Sequence, residues 1–400
     1  MSSISLYIHI PFCIHRCGYC DFNTYSGLQD LIPDYSQAIR KELKVVSSLL
    51  KDSYTIHTIY FGGGTPSMIP ASALGQIFAT INQYFSLSAN PEITLEANPG
   101  TVSAEYMAKL KCMGVNRLSM GMQSAHQSEL TLLERQHTFD DVIRSVGWAR
   151  DAGIANINLD LIFGLPGQSL PSWMTSLEKA LSLQPEHLSL YALTLENGTP
   201  LQHKVQSGLL AEPDPDLAAD MYEAATERLS AANFVQYEIS NWARTKNNGQ
   251  YHACLHNIQY WRNLYYLGIG AGAHGYIDHY RTVNAPNPKA YISRLKKDSS
   301  YKSRKSGKFL GTPATIQCIT VDKKAEMGET MMMGLRLVQE GVMASEFKQR
   351  FGMSLLDAYS HQIEKLISLG LLEWVQSPTL KLRLTTRGRL LGNQVFKEFI

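Results

Sequence analysis

Short β-rich runs alternate with longer helical patterns from residue 4 to about residue 240 of this 400-residue chain, and this alternation limits the possible folds more than any other feature. The β-rich runs are ISLYIHI (4–10), TIHTIYF (55–61), EITLEAN (92–98), NRLSMGM (116–122), INLDLIF (157–163) and HLSLYALTL (187–195). Amphipathic helices are predicted between them, for example over Pro33 to Leu50, Asp140 to Asp151 and Asp216 to Ala232. Such βα units predict a parallel sheet. Because no G-x-G-x-x-G turn follows the first run, we expect an α/β fold with a partial (β/α)6 barrel rather than a Rossmann sheet.

The pattern changes after about residue 240, which predicts further domains. Residues 1–240 form the predicted barrel, and residues 241–294 form an aromatic, Gly-rich connecting region with loops around one or two strands. Residues 295–309 are rich in Lys and Ser and read as a linker. Residues 310–400 suggest helices, a β-hairpin and a last helix. We therefore expect a smaller C-terminal α+β domain of winged-helix-like form.

The charge balance and the apolar pattern limit the class of protein. Lys and Arg total 37 against 35 for Asp and Glu, a net charge of +2 that gives no support to nucleic-acid binding. No run approaches the roughly 18 apolar residues of a membrane span, and no secretory signal is recognisable. We therefore expect a cytoplasmic protein whose six cysteines form no disulfides.

Cys13, Cys17 and Cys20 lie within eight residues, directly after the first β-rich run. Crowded cytosolic cysteines predict a metal site. A zinc ion would need a fourth ligand, such as His9 or His15, whereas a [4Fe–4S] cluster accepts three thiolates if another group completes the fourth iron. The cluster is the favoured interpretation, and zinc remains the alternative. The scattered Cys112, Cys254 and Cys318 are expected to be buried thiols.

Further unusual residues fall at the carboxyl ends of the predicted strands, where active sites assemble in parallel β/α folds. They are the run Gly62-Gly63-Gly64-Thr65, Glu96, Gln123 and Asp160. Glycines permit close approach of a ligand to the backbone, although a tight turn is the simpler explanation of the run. An unpaired carboxylate within the apolar LDLIF would be costly, which favours a functional partner for Asp160.

The C-x-x-x-C-x-x-C loop with an aromatic residue before its last cysteine resembles the signature of the radical S-adenosylmethionine family. The resemblance narrows to the HemN/HemW branch, which contains oxygen-independent coproporphyrinogen III dehydrogenase and a group of heme chaperones. The matching segments are LYIHIPFCIHRCGYCDF, YFGGGTPSMI, LEANPGT, RLSMGMQS, LLERQH, NLDLIFGLPGQ and HNIQYW.

This resemblance implies a radical SAM type of barrel, a [4Fe–4S] cluster on the three cysteines, and S-adenosylmethionine bound to the open iron. It also implies a pocket for S-adenosylmethionine, or for it and a second nucleoside, made from Tyr7, Phe22, Gly63, Gly64, Thr65, Glu96, Gln123, Arg135 and Asp160. Glu96 suits an ammonium group, Arg135 a carboxylate and Asp160 a ribose hydroxyl. Arg135 lies on a predicted helix, so a surface charge is its alternative interpretation.

Phe22 distinguishes the two activities of the branch. The dehydrogenase is expected to carry a fourth cysteine at this position and a longer N-terminal arm, so both departures match the heme chaperones. The resemblance then implies heme as a ligand, heme-accepting proteins such as respiratory cytochromes as partners, and an electron donor. His256, followed by Tyr260 and Trp261, is the candidate heme ligand, with a buried core histidine as the alternative. His252 and His274 are the fallback ligands, and oxidative decarboxylation of coproporphyrinogen is the alternative function.

Overall fold

The chain forms two compact units that are interleaved along the sequence. The computed structural model describes residues 2–50, 54–297, 311–376 and 378–400. The first unit comprises Met1–Arg228 and Tyr266–Ile319, and the second comprises Leu229–Tyr265 and Thr320–Ile400. This grouping differs from the predicted boundaries at 240, 294 and 309, because the chain returns to the first unit at Tyr266. Most of the predicted linker, residues 298–309, lies outside the described residues.

A parallel sheet in the first unit confirms the predicted barrel strands. These strands are β1 (Ser2–Ile10), β2 (Tyr54–Gly63), β3 (Ser86–Ala97), β4 (Arg117–Gln123), β5 (Asn156–Phe163) and β6 (His187–Ala192). They are adjacent in chain order, and each pairs in parallel with the next. Because the order does not reverse, as it would in a doubly wound sheet, the strands wind in one direction as a partial barrel.

The sheet continues on the other side of β1, which the sequence pattern did not predict. Tyr266–Ile269 pairs in parallel with β1, opposite Ser5 to Ile8. His274–Ile277 and Tyr280–Asn284 extend the sheet by antiparallel pairing, and Thr315–Thr320 follows them. The first three of these strands are short and come from the Gly-rich region, for which only loops and one or two strands were expected, whereas Thr315–Thr320 lies in the predicted C-terminal domain. β1 is therefore an interior strand, and the loop after it leaves from within the sheet.

Helices connect the strands of the first unit and cover the sheet. They are Ile32–Leu50, Ala71–Tyr84, Ala104–Cys112, Gln127–Leu132, Phe139–Asp151, Leu170–Ser182, Pro200–Gln206, Pro215–Ala231 and Pro288–Lys297. Single 3-10 turns are Gln29–Leu31, Pro66–Met68 and Pro99–Thr101. Ile32–Leu50 buries Tyr35, Ile39, Leu43 and Val46, whose spacing of three or four residues places them on one face.

A buried carboxylate holds the added strands next to the first helix. Glu42 accepts hydrogen bonds from Tyr291 Oη (2.6 Å), Asn284 Nδ2 (2.8 Å), Thr312 Oγ1 (2.7 Å) and Gly270 N (3.0 Å). Burial raises the pKa of Glu42, and these donors oppose that rise. A buried charge is tolerated where donors surround it, so Glu42 fixes Gly270, Asn284, Tyr291 and Thr312 against the helix.

The second unit contains a three-stranded sheet, a separate antiparallel pair of strands, and helices. Its strands are Phe234–Glu238, Asn241–Arg244, Val342–Met343, Leu372–Gln376 and Leu380–Leu384. Its helices are Leu255–Trp261, Lys323–Gly334, Ala344–Phe351, Leu355–Ser368, Thr386–Leu390 and Gly392–Phe396, with a 3-10 turn at Lys397–Phe399. The last three strands form one antiparallel sheet, in which Leu380–Leu384 is central. Helices followed by a hairpin are the arrangement predicted for the C-terminal domain.

Candidate functional site

The cysteine loop leaves the carboxyl end of β1 and is closed at its base. Cys13 lies in the short strand Phe12–Cys13, which pairs in parallel with Tyr25–Ser26. Cys20 N donates to Cys17 O over 3.1 Å, so a turn brings the second and third cysteines together. All three cysteines are half-buried free thiols. Cys254 is buried as expected, but the same expectation was wrong for Cys112 and Cys318, which are exposed.

Each thiol of the loop has a polar neighbour. Thr65 Oγ1 donates to Cys13 Sγ over 3.7 Å, and Cys20 Sγ lies 3.8 Å from Thr24 Oγ1. Arg135 Nη1 donates to Cys17 Sγ over 3.5 Å. Burial raises the pKa of Cys13, whereas the hydroxyl of Thr65 lowers it. These donors suit sulfur atoms that carry negative charge, as metal-bound thiolates do.

A single metal ion and an iron–sulfur cluster place different demands on the three cysteines. In the described part of the chain, no group of three or more His, Cys, Asp or Glu side chains is close enough to hold one metal ion. A [4Fe–4S] cluster instead distributes its thiolate ligands over different irons. His9 and His15, the alternative fourth ligands, have other partners: His9 Nε2 donates to Asn23 O (2.9 Å), and His15 pairs with Glu134 (3.2 Å).

The glycine run after β2 packs directly on the cysteine loop. Gly64 N donates to Ile10 O over 2.7 Å, and Thr65 N donates to Phe12 O over 2.8 Å. A Cβ atom at Gly64 would lie 2.7 Å from Phe12 O and 3.0 Å from Cys13 Sγ. Gly63 has φ +117°, and a Cβ atom there would lie 2.5 Å from the His9 imidazole. The run comprises the end of β2 and a bend at Gly64 rather than a tight turn, and it forms a wall of the cysteine site.

Glu96 is held at the end of β3 beside this glycine run. Tyr60 Oη donates to Glu96 Oε1 over 2.8 Å, and Gly63 N donates to Glu96 Oε2 over 3.0 Å. Burial raises the pKa of Glu96 to about 7, and the nearby Asp160 charge contributes to that rise. A carboxyl group poised near neutral pH can ionise when a cation arrives, so the site is suited to an ammonium group.

Tyr7 lies on the same side of the sheet as Glu96. Its ring stacks on Tyr60 with centroids 6.2 Å apart, and its hydroxyl lies 3.0 Å from His9 Nδ1. Because His9 Nε2 donates to a carbonyl, Nδ1 of the neutral ring accepts a hydrogen bond from the Tyr7 hydroxyl group. Burial raises the pKa of Tyr7 and lowers that of His9, so both groups are neutral at physiological pH.

Gln123 ends β4, and Arg135 lies in the segment that follows β4, so both belong to the carboxyl-end edge of the parallel strands. Arg135 lies just beyond the helix Gln127–Leu132, and its Nη2 donates to Gly121 O over 3.0 Å. Its Nε atom is buried and has no hydrogen-bond partner among the described residues, so the surface-charge interpretation does not fit. Gln123 has φ +62° at a register shift between β4 and β5, an uncommon conformation for a residue other than glycine.

Asp160 belongs to a hydrogen-bond network between neighbouring strands. Asn158 Nδ2 donates to Asp160 Oδ1 over 2.8 Å, and Ser119 Oγ donates to Asp160 Oδ2 over 3.2 Å. His187 Nδ1 lies 2.6 Å from Asn158 Oδ1 and extends the network into the sheet. Burial raises the pKa of Asp160. This carboxylate has hydrogen-bond partners within the protein, so its burial by itself does not require the functional partner that the sequence favoured.

Phe22 and His256 are the remaining predicted residues. Phe22 is 65% exposed, and its carbonyl accepts from Arg16 Nη2 over 3.3 Å. His256 belongs to the second unit, on the helix Leu255–Trp261, and is only 1% exposed. Its Nε2 atom lies 3.0 Å from Tyr260 Oη. Heme ligation by His256 would require this hydrogen bond to break and the ring to become accessible.

Comparison with known proteins identifies the family. Residues 7–180 match the radical SAM superfamily, and residues 321–391 match the HemN C-terminal domain. The chain is 37% identical over 399 residues to the heme chaperone HemW of Bacillus subtilis, and the match covers 99% of each protein. This chain belongs to the HemW family of radical SAM proteins.

Two further similarities extend the HemW family assignment. A mitochondrial mouse protein named for its radical S-adenosyl methionine domain is 37% identical over 379 residues, covering 92% of this chain and 81% of the mouse protein. Coproporphyrinogen III oxidase (HemN) from Escherichia coli superposes with a TM-score of 0.81 at 22% identity, covering 100% of this chain and 90% of the other. The second similarity concerns the fold alone, and it confirms the predicted architecture.

The sequence interpretation missed Tyr60 and Glu42, and it considered His9 only as an alternative zinc ligand. Tyr60 donates a hydrogen bond to Glu96, and His9 is hydrogen-bonded to the Tyr7 hydroxyl group. Glu42 anchors the strands beside β1. One signal was available for His9, because it follows Tyr7 by two residues in a strand and so shares its face.

Within the described residues, no helix is long and apolar enough to cross a membrane.

Proposed function

We propose that this HemW-family chain is a heme chaperone that binds heme, carries a [4Fe–4S] cluster with S-adenosylmethionine, and transfers heme to acceptor proteins such as respiratory cytochromes. The observation that carries this proposal is the full-length similarity to the protein named heme chaperone HemW in Bacillus subtilis. Phe22 supports it further, because the position at which the dehydrogenase is expected to hold a fourth cysteine is an exposed phenylalanine here.

The cluster in this proposal is held by Cys13, Cys17 and Cys20. When bound and reduced, such a cluster supplies single electrons at low potential, which an electron donor must replace. Arg135 faces the Cys17 sulfur and offsets negative charge there. The turn at Gly64 and Thr65 closes over Cys13 and limits the access of water to that thiolate.

S-adenosylmethionine is assigned to the space beside Glu96 and the glycine run. Glu96 binds the ammonium group because its ionised form gains a cationic partner in a buried place. Tyr7 supplies an aromatic wall, and Thr65 contributes a hydroxyl group. Gln123, Arg135 and Asp160 contact the carboxylate and ribose of this molecule or of a second nucleoside.

Heme binding is assigned to the second unit, with His256 as the iron ligand. In the absence of heme, the imidazole of His256 is hydrogen-bonded to Tyr260, and the heme iron must displace Tyr260 to bind the imidazole. A ligand that must exchange partners binds heme less tightly than a preformed one, which suits a protein that releases its cargo.

The experiment that tests the function is anaerobic reconstitution followed by heme titration and transfer to an apocytochrome. We expect iron and sulfide incorporation, a Soret band on heme addition, and movement of that band to the acceptor. Cys17→Ser should lose the iron, whereas Cys112→Ser, an exposed cysteine elsewhere in the first unit, should keep it. His256→Ala should weaken the Soret band, and His361→Ala, an exposed histidine of the second unit, should not.

The opposite outcome would favour the dehydrogenase. Formation of protoporphyrinogen IX from coproporphyrinogen III under anoxia, together with absent heme transfer, would overturn the chaperone proposal. Roughly one zinc per chain without iron or sulfide would overturn both functions.

A further inference from the structure

Glu134 has a backbone conformation that its residue type does not favour. Its φ is +57°, in the left-handed region that glycine adopts readily and that a Cβ atom disfavours. It follows the helix Gln127–Leu132, and its N–H donates to Thr131 O over 3.0 Å. A residue other than glycine in such a conformation indicates that its side chain makes contacts that compensate for the strain.

The carboxylate of Glu134 joins two segments that are far apart in the sequence. Its Oε1 accepts from Lys204 Nζ over 2.9 Å, and its Oε2 accepts from His15 Nε2 over 3.2 Å. Lys204 lies in the helix Pro200–Gln206, whereas His15 lies in the cysteine loop, residues 13–20. The hydrogen bond from Lys204 lowers the pKa of Glu134, so this carboxylate is ionised at neutral pH. One anionic group therefore bridges the loop and the helix.

The same carboxylate covers the backbone of the loop at Gly18. A Cβ atom at Gly18 would lie 3.0 Å from both the carboxyl carbon and the Oε1 atom of Glu134. Gly18 O also accepts from Leu201 N over 2.8 Å, in the first turn of the helix that carries Lys204. The part of the loop around Gly18 is therefore in contact with both Glu134 and that helix.

Burial does not hold the first half of the cysteine loop in place. Ile14, His15 and Arg16 are all exposed, although isoleucine is a residue type that packing usually buries. Segments with few buried apolar contacts open locally at a low cost in free energy. Side-chain contacts such as the bridge through Glu134 therefore have to hold this half of the loop.

We propose that Glu134 is a positioning residue for the cysteine loop, an inference that rests on the cluster assigned in the proposed function. Its carboxylate holds His15 and Gly18 in place, and Arg135, the next residue, donates to Cys17 Sγ from the same segment. Glu134 acts through the loop and does not ligate the cluster. Its removal leaves the three sulfur atoms present but lets the loop open more often, so a bound cluster is lost faster.

Glu134→Gly separates the position of the loop from the stability of the fold. The variant removes the bridge but relieves the backbone strain, so its thermal midpoint should stay within about 2 °C of the wild type, because exposed ion pairs contribute little to stability. Gln184→Gly is the matched control. Gln184 is exposed and also has a positive φ, +51°, but it precedes β6 at the opposite edge of the sheet from the loop.

Two measurements report on the loop itself. Hydrogen exchange of the amides of residues 14–19 is followed by mass spectrometry in the full-length metal-free protein, and iron loss to a chelator is followed after anaerobic reconstitution. Loss of two exposed ion pairs changes an opening equilibrium by a factor of about five, so Glu134→Gly should speed loop exchange about fivefold and iron loss about threefold. Gln184→Gly should leave both rates at the wild-type value.

A charge variant and added salt show that the contact is electrostatic. Glu134→Gln keeps the shape of the side chain and removes its charge, so its loop exchange should fall between those of the wild type and Glu134→Gly. Raising the ionic strength from about 0.05 to 0.5 M should speed loop exchange in the wild type but not in Glu134→Gly, because salt screens exposed ion pairs. A residue with only a steric role in the fold gives no such difference.

The outcomes separate this role of Glu134 from the proposed function. Equal loop exchange and equal iron loss in the wild type and Glu134→Gly would overturn the positioning role. Faster exchange throughout the chain with a lowered thermal midpoint would overturn it as well, because Glu134 would then stabilise the fold and not the loop. If the wild type takes up no iron and sulfide, the cluster of the proposed function fails, and amide exchange in the metal-free protein still decides whether Glu134 holds the loop.

Discussion

Gly64→Ala tests whether the contact between the glycine run and the cysteine loop limits formation of the cluster site. Gly64 does not need a positive φ, so alanine is disfavoured only by its Cβ atom, which would lie 2.7 Å from Phe12 O and 3.0 Å from both Ile10 O and Cys13 Sγ. Two of these neighbours are backbone atoms, which cannot rotate away. Relief of the clash therefore requires the run and the loop to separate.

The size of the effect follows from two contributions. Inserting a methyl group into a packed site typically costs about 1–3 kcal/mol. Separation would also lengthen the bonds from Gly64 N to Ile10 O (2.7 Å) and from Thr65 N to Phe12 O (2.8 Å), and partial loss of two hydrogen bonds adds about 1 kcal/mol. We expect Gly64→Ala to lower the free energy of unfolding by about 2–4 kcal/mol.

The assay combines calorimetry of the metal-free protein with iron and sulfide analysis after anaerobic reconstitution. Gly64→Ala should lower both the unfolding temperature and the iron content. Gly100→Ala is the matched control, because a Cβ atom at Gly100 meets nothing within 4 Å and its φ is not positive. Equal stability and equal iron content in the two variants would refute the argument that this close contact shapes the site.

Three further predictions concern single residues. The pKa of Glu96 is about 7 in the folded metal-free protein against 4.5 in the unfolded chain, so between these pH values the folded protein keeps a proton that the unfolded chain loses. The free energy of unfolding should therefore fall as pH rises from about 4.5 to 7. Glu96→Gln should flatten that part of the curve of thermal midpoint against pH. An unchanged slope of that curve in Glu96→Gln would show that other titrating groups, and not Glu96, set the pH dependence of stability. Thr138 and Asp141 form a capping box at the start of Phe139–Asp151, so Thr138→Ala should cost about 1 kcal/mol in denaturant unfolding, whereas the exposed Thr131→Ala should stay within about 0.5 kcal/mol. Gly147 is exposed inside that helix with open space around its Cα, so Gly147→Ala should stabilise the protein by about 0.5–1 kcal/mol, and destabilisation would contradict the helical geometry assigned there.

Much of the fold could be predicted because its signals are local. The predicted run 157–163 lies within β5 (Asn156–Phe163), and the predicted helix 140–151 lies within Phe139–Asp151. Side-chain alternation in strands and helical spacing of apolar residues are both readable from neighbouring positions. The cysteine loop was equally recognisable, because its three sulfur atoms lie within eight residues.

Strands that depend on distant partners were less visible. Tyr266–Ile269 has only four residues, and its place in the sheet is set by pairing with β1, more than 250 residues earlier. Glu42 likewise reads as a polar residue on an amphipathic helix, although its carboxylate is fully buried among donors from Gly270 to Thr312. Neither pairing leaves a periodic signal in the sequence.

The sequence by itself determined the order of βα units, the cysteine loop and the polar residues at the strand ends, because each depends on a spacing along the chain. Tertiary structure alone decided that Arg135 faces Cys17, that Glu96 is bound by Tyr60 and Gly63, and that His256 is buried against Tyr260. It also decided that Trp261 lines a cavity with residues about 80 positions away. Hydrogen bonding, burial and charge are set by which side chains meet in space, and those meetings arise only when the strands and helices have packed.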